Sequence, residues 1–349
     1  MSPLTEDRIR FVTNIKLTAG TDGLDIDFAP DSADLRPAAL MRRSADADAI
    51  VMKLPGKRTA FASLLAKVRH GRPVLVYYDV LIPTISNWWE RPKRRAYLDL
   101  VRQADIILTV HRDTAEYARL LRLPQERLRY IGFKSNVWED HAAVERGKVT
   151  QGSGEYVLAC GRSYRDFRTF TEAMALAGVP ARILMTQGRL EPHGSIPPPP
   201  NLPPNVELVQ HDGTRAAWVE ALLRARIVVV PMRGDVINAS VSVPLEAMNL
   251  SRPVIITEGP ATRLMLNGAT AGIVPPSDSH ALAREALRLW HDHELRVSRV
   301  EEARAYVETL GGVDRMSRDI VRETLSLLER RPARLAVKNR RTDDRGVLP

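Results

Sequence analysis

The stretch RIVVVPMRGDVINASVSVPLEAMNLSRPVIIT, residues 226–257, reads as a strand, a polar loop, a short helix and a second strand. The β-branched run 227–230 stops at Pro231, and a second run, 253–257, follows the helical segment PLEAMNL. Two apolar strands joined by a crossover of this length form a parallel βαβ unit, whose ligand site lies at the carboxyl ends of its strands. Glu246 falls inside that crossover among apolar neighbours. A carboxylate is costly to bury without hydrogen-bond donors, and sugar hydroxyls are donors of the right kind.

Outward from this unit, strand-like and helix-like segments alternate along the chain. The first half predicts strands at 8–13, 24–28, 49–53, 73–78, 105–110 and 128–133, with helices at 58–68, 92–103 and 114–121. Residues 136–154 then turn polar and glycine-bearing, as a domain junction does. The alternation restarts with strands at 156–160, 181–186, 206–209, 227–230 and 254–257, and helices at 168–177, 215–225 and 280–290. The pattern predicts an α/β fold of two Rossmann-like, doubly wound domains with a cleft between them. The expected division is a first domain at 1–141, a linker at 142–154 and a second domain at 155–312. A last helix at 313–329 is expected to cross back to the first domain, ahead of a basic tail, 330–349, too poor in apolar residues to fold.

Composition bounds the function. The chain has 349 residues, 44% of them apolar, which is ordinary for a folded domain pair. No apolar run approaches the roughly 18 residues that span a bilayer, and MSPLTEDRIRF has neither a basic nor an apolar leader region. One cysteine, Cys160, allows no internal disulfide and fits a reducing cytoplasm; in YVLACGR it reads as a small core hydrophobe. No Cys/His spacing suggests zinc. The net charge of +9 is uneven: residues 1–150 hold 25 Lys/Arg against 19 Asp/Glu, and residues 151–329 hold 19 against 21. A basic first half suits an anionic or lipid-linked acceptor or a membrane surface. Trp88 and Trp89 beside Arg91, Lys93, Arg94 and Arg95 suit peripheral contact with the inner face of a membrane, a sugar stack, or packing on the domain's own surface. No nucleic-acid motif accompanies the charge.

The segment 226–257 resembles the donor-binding signature of retaining glycosyltransferases of the GT-B fold, the large glycosyltransferase family four, also called group 1. In that family two glutamates stand eight positions apart ahead of Ala-Met-Ala and Pro-Val-Ile. Here Glu246, Ala247, Met248, Pro253, Val254 and Ile255 occupy matching places, with Arg252 at the small residue before the proline. The resemblance implies that Glu246 holds the ribose of the donor. The family's first glutamate, which contacts the transferred hexose, corresponds to Asn238, an amide without charge.

Other segments follow in the family's order. ACGRSYRDFRTF matches the loop that holds the donor diphosphate: Gly161 admits the phosphate, and Arg162 with Arg165 or Arg168 supplies cations. The family usually pairs an arginine with a lysine there, but residues 151–329 contain no lysine, and Arg165 is the nearer candidate. His211 and Asp212 occupy the base-binding loop, where a turn or a helix start is the plainer reading. Ser240 and Ser242 precede the Glu246 helix, as sugar contacts or as caps. The proline run 192–205 reads as an extended surface connection. The first domain departs furthest: it lacks the family's Gly-Gly loop, Tyr78 and Asp79 stand where a histidine is common, and His111 where a serine is commoner.

The resemblance implies a metal-independent hexosyltransferase that takes a nucleotide-sugar as co-substrate, needs no cofactor and retains anomeric configuration. Asn238, Arg162 and Arg165 would be its catalytic residues. The departures leave two alternatives, a non-catalytic sugar-nucleotide-binding scaffold and a GT-B-like epimerase. The DID and DAD triplets at 25–27 and 46–48 mimic a metal motif, but lie before or within predicted strands of the other half.

Overall fold

The computed structural model describes residues 8–30, 35–69, 73–80, 82, 88–110, 112–151, 153–186, 194–234, 242–259, 262 and 266–330. Each half of the chain builds a parallel six-stranded sheet. The first comprises β1 (Ile9–Thr13), β2 (Leu24–Phe28), α1 (Pro37–Arg43), β3 (Ala49–Lys53), α2 (Lys57–Arg69), β4 (Val74–Tyr78), α3 (Arg91–Val101), β5 (Ile106–Thr109), α4 (Thr114–Leu121) and β6 (Leu128–Tyr130). Its strand order is β2-β1-β3-β4-β5-β6. A single 3-10 turn, Trp88–Glu90, leads into α3.

After α5 (His141–Val149) come β7 (Tyr156–Cys160), α6 (Phe167–Ala177), β8 (Ala181–Thr186), β9 (Val206–His211), α7 (Arg215–Leu223), β10 (Ala225–Val230), α8 (Ser242–Asn249), β11 (Val254–Thr257) and β12 (Gly272–Val274). These strands order as β12-β11-β10-β7-β8-β9. Then α9 (Ser279–His291), α10 (His293–Leu310) and α11 (Val313–Glu329) close the described chain. The α/β fold of two doubly wound sheets is therefore what the sequence forms.

The physical cause is visible strand by strand. Every residue of β4, VLVYY, and of β7, YVLAC, is buried, because a parallel sheet is covered on both faces and its strands become continuous apolar runs. Helix starts are set by side-chain caps: Asp113, Asp140, Asp166, Thr214, Asp278 and Asp292 each accept from a backbone N–H in the first turn of the helix that follows. Burial drives the Cys160 thiol up to about 12, leaving it an inert core side chain.

Several expectations need revision. Strand β6 stops at Tyr130, not at 133. Most of the predicted linker is helix α5, opened by the Asp140 cap. Helices α1 and α10 and strand β12 were not foreseen: α1 spans only seven residues, β12 only three, and α10 begins at the Asp292 cap on the heels of α9. The DID triplet lies in β2, where Asp27 pairs with Arg10 and Arg43, and in the DAD triplet Asp48 accepts from the Arg10 amide.

Two arginines tie the sheets' connections down. Arg252, fully buried, donates to the carbonyls of Gly147, Thr150, Ser153 and Leu250 at 3.0–3.2 Å, fastening the end of α5 to the second sheet. A side chain at Gly147 would collide with the Leu250 carbonyl, so glycine lets α5 come this close. Helix α11 packs against β4, where the Tyr78 hydroxyl donates to Met316 Sδ at 3.3 Å. Arg315 donates to the Gly132 and Phe133 carbonyls at 2.6 and 3.2 Å, and the Thr18 amide donates to Ser317 Oγ at 3.1 Å.

Candidate active site

In the second sheet the chain runs from β7 outward to β9, then returns to the other side of β7 as β10. Strand order reverses between β7 and β10, and at such a reversal the loops part to leave a crevice at the carboxyl edge. A cavity of about 720 Å³ opens there. It is lined from the second sheet by Gly161, Arg162, Ser163 and Arg165, by His211, Gly213, Thr214 and Arg215, by Trp218, and by Ser242 and Glu246 of α8; Lys134 and Asn136 reach it from beyond β6.

Glu246 is the most constrained of these residues. It is 6% exposed, and each carboxylate oxygen accepts one short bond: Oε1 from Asn136 Nδ2 and Oε2 from Trp218 Nε1, both at 2.5 Å. Burial pushes this carboxyl above the usual range, while the two donors, followed by the charges of Arg215 and Lys134, pull it back. A carboxylate oxygen has two lone-pair sites, so one on each oxygen remains for a ligand hydroxyl. Asn136 is itself fixed, since its Oδ1 accepts from Lys134 Nζ at 2.6 Å and its carbonyl accepts from Arg215.

The loop after β7 is shaped by its glycine and a serine. Gly161 sits at φ 100, and any side chain there would strike the Arg165 guanidinium. Ser195 Oγ accepts from the Arg165 amide at 2.7 Å and donates to the Arg162 carbonyl at 2.9 Å, clasping the turn. Ile196 adds a backbone bridge to Asp166. This part of the proline-rich run is thus a clasp on the loop rather than a surface connection. Arg162 is exposed to the cavity.

Arg165 plays another part than the one expected of it. Its side chain is buried, with Nε donating to the Cys160 carbonyl at 2.8 Å and a terminal nitrogen to the Ser163 carbonyl at 2.7 Å. Burial lowers its pKa to about 10. It borders the cavity from below, as a brace for the loop. Arg168 lies exposed on α6 and does not line the cavity.

Among the remaining predicted residues, His211 lines the cavity, with its ring 6.1 Å from that of Trp218 and its Nδ1 accepting from Gly213 N at 3.1 Å. Asp212 makes the turn instead, accepting from Thr214 N at 2.8 Å; the Thr214 side chain first, then its amide, hold the carboxyl below the usual range. Ser242 opens α8 at the cavity wall. Tyr78 and Asp79 do not reach the cavity: the Tyr78 ring is buried toward α11, and Asp79 sits at φ 53 past the end of β4. Burial raises the Asp79 carboxyl to about 6, against the nearby charge of Lys53. Asn238, Ser240 and His111 lie outside the described residues.

Sequence reading missed Lys134, Asn136, Arg215 and Trp218. Lys134 is half-buried, and burial first, then the neighbouring Lys53, lower its pKa. Lys134 and Asn136 belong to the phrase FKSN just past the last strand of the first sheet, far from residues 226–257 in sequence and beside Glu246 in space, and no local pattern in the phrase marks them.

The architecture matches known structures along nearly its full length. Anabaena Alr3699/HepE, solved in complex with UDP, superposes with a TM-score of 0.64 at 14% identity, covering 91% of this chain and 99% of that one. The fold is GT-B. A glycosyltransferase from Rickettsia africae superposes at 0.61 with 11% identity, covering 93% and 99% of the two chains. Sucrose-phosphate synthase from Thermosynechococcus elongatus does so at 0.65 with 16% identity, covering 85% and 77%. Residues 155–292 match the family described as Glycosyl transferases group 1, a span that contains β7 to α9 and the second-sheet walls of the cavity. No curated protein matches the sequence. Among the described residues, no group of three or more His, Cys, Asp or Glu could hold a metal, and no helix is long and apolar enough to cross a membrane.

Proposed function

We propose that the protein is a glycosyltransferase that moves a hexose from a nucleotide-sugar to an acceptor hydroxyl with retention of configuration and without a metal. The observation that carries this reading is the pairing, in one cavity at the strand reversal, of a buried carboxylate, Glu246, with the loop cation Arg162. Glu246 accepts the vicinal hydroxyls of the ribose on its two free lone-pair sites, while Asn136 and Trp218 hold it aimed. The diphosphate lies across the Gly161 loop toward Arg162. Because Arg165 is committed to main-chain carbonyls, Lys134 serves as the second cation and stabilises the charge that develops on the leaving diphosphate. Asn238 faces the transferred sugar in this reading.

The segment ahead of α5 and the return of 313–329 to the first domain frame the cleft, and the reaction takes place at the cytoplasmic side of the cell. A basic first half favours an anionic or lipid-linked acceptor. One observation favours a sugar-nucleotide-binding protein without turnover instead: the first sheet offers Asp79, away from the cavity, where a histidine is common. The experiment is a thermal-shift screen against uridine, guanosine and adenosine diphosphate sugars, uridine first because HepE was solved with UDP and with UDP-glucose. NMR of the anomeric proton of any product follows. Stabilisation by no nucleotide-sugar would refute the donor site, and an inverted anomer would refute retention.

A further inference from the structure

Helix α2 is packed with its small side chains inward. Its buried face is Thr59, Ala60, Ala62, Ser63 and Ala66, whereas Phe61, Leu65 and Val68 are 47%, 39% and 71% exposed. Positions 61, 65 and 68 form one helical stripe, and a surface helix ordinarily turns such a stripe toward the core. Helix α3 packs beside α2, and the turn that leads into it carries Trp88 and Trp89, 73% and 55% exposed, with their rings edge to face at 6.0 Å. Leu54, just ahead of α2, is exposed and held at φ 46, a conformation that costs a leucine energy. Six of the ten exposed large hydrophobic residues described fall between 54 and 89, so the exposure is concentrated rather than scattered.

The charges beside them are mostly positive, Glu90 next to Trp89 being an exception. Lys57, Arg58 and Arg69 on α2, and Arg91, Lys93 and Arg95 on α3, are exposed; α2 contains no acidic residue, and α3 only Asp99. Four of these cations stand in first helical turns, where the helix dipole disfavours positive charge, so helix stability does not account for them. Helix α2 follows the carboxyl end of β3 directly, and α3 is the next helix after β4.

We propose that this face of α2, with the turn before α3, is a docking surface for an anionic lipid bilayer. The tryptophans and the Phe61 stripe enter the headgroup layer, and the lysines and arginines meet lipid phosphates. A bilayer fits better than a protein partner because cations outnumber the acidic Glu90 and Asp99 on these two helices and the turn between them, and that turn carries an indole pair, the side chain suited to a membrane boundary. None of these residues lines the donor cavity, so the proposal stands apart from the glycosyltransferase reading. It gives that cleft a membrane-borne acceptor at its rim.

The test is co-sedimentation of the full chain with vesicles of phosphatidylcholine alone and of phosphatidylcholine mixed with phosphatidylglycerol. The protein should bind the anionic vesicles and not the neutral ones, and salt should weaken the binding. Phe61→Ser with Val68→Ser, and Trp88→Ala with Trp89→Ala, should each cut the vesicle-bound to free ratio by about tenfold, with melting temperatures unchanged because these side chains are exposed. Brominated acyl chains should quench tryptophan fluorescence in the wild type, and much less in the Trp88/Trp89 double variant. The proposal fails if anionic vesicles are not bound, or if both double variants bind like wild type and only salt matters. It also fails if sedimentation velocity without lipid shows a dimer that the Phe61/Val68 variant dissociates, since the occupant is then a second copy.

Discussion

Asn136 and Glu246 lie 110 positions apart, yet Asn136 Nδ2 donates to Glu246 Oε1 at 2.5 Å. The bond joins the segment leaving the first sheet to helix α8 at the wall of the second sheet's cavity. With Lys134 on one side of Asn136 and Trp218 on the other side of Glu246, four polar side chains form one chain of hydrogen bonds.

Glu246→Ala should lower nucleotide affinity about ten- to hundredfold, the net worth of roughly one charge-assisted hydroxyl bond at about 1.5–3 kcal/mol, because water recovers part of what the pair supplied. Glu246→Gln should keep part of it. A 2′-deoxy nucleotide should bind wild type more weakly, yet discriminate little between wild type and the alanine variant. Calorimetry with both nucleotides tests this, and equal discrimination by the two proteins would sink the ribose assignment.

The two proposed phosphate cations should separate by where their loss is felt. Arg162→Ala should reduce turnover at least tenfold, by roughly the worth of one charge-assisted bond. Lys134→Ala should erase much of the affinity gained on going from uridine to UDP while leaving uridine binding nearly unchanged. A Lys134 variant that keeps the whole diphosphate increment would return the second-cation role to the second sheet.

Asp79 predicts a pH signature in stability. Its carboxyl is raised from 3.8 to about 6 by burial, so the folded state holds this proton more tightly than the unfolded one. Its contribution is most favourable below the unfolded pKa and is lost as pH rises through the window from about 4 to about 6. Asparagine tolerates the left-handed backbone at φ 53. Asp79→Asn should therefore gain on wild type in melting temperature across that window and hold the gain above it. A difference independent of pH would show that the carboxyl is not titrating there.

Arg252→Met should be destabilising by about 3 kcal/mol or more, because it strips donors from several buried carbonyls. Chemical denaturation would measure it, and a change within about 0.5 kcal/mol would mean that water replaces the guanidinium.

The fold was legible because parallel strands buried on both faces appear as unbroken apolar runs, and β4, β7, β10 and β11 are such runs. The short elements were not: β12 is too brief to show a period, and α10 merges with α9 except for the Asp292 cap. At the site, residues carried by local phrases, Gly161, Arg162 and Glu246, could be picked out because one loop or one helix sets them. Lys134 and Asn136 could not, since nothing within FKSN signals a neighbour 110 positions away. Arg165 shows the limit in the other direction: the sequence places a cation in the loop after β7, and only packing reveals that its side chain is buried and donates to the Cys160 and Ser163 carbonyls.

Both crossings between the sheets are riveted to backbone. Arg252 holds the end of α5 to the second sheet, and Arg315 holds α11 to Gly132 and Phe133 at the edge of the first. A swing of one sheet against the other would fall on residues 134–140 and on Gly311–Gly312, the second of which Arg315 also spans by donating to the Leu310 carbonyl. The first of these joints carries Lys134 and Asn136, the side chains that set Glu246. The opening angle of the molecule and the aim of its buried carboxylate are consequently one mechanical coordinate, and a ligand that engages Glu246 loads the joint directly.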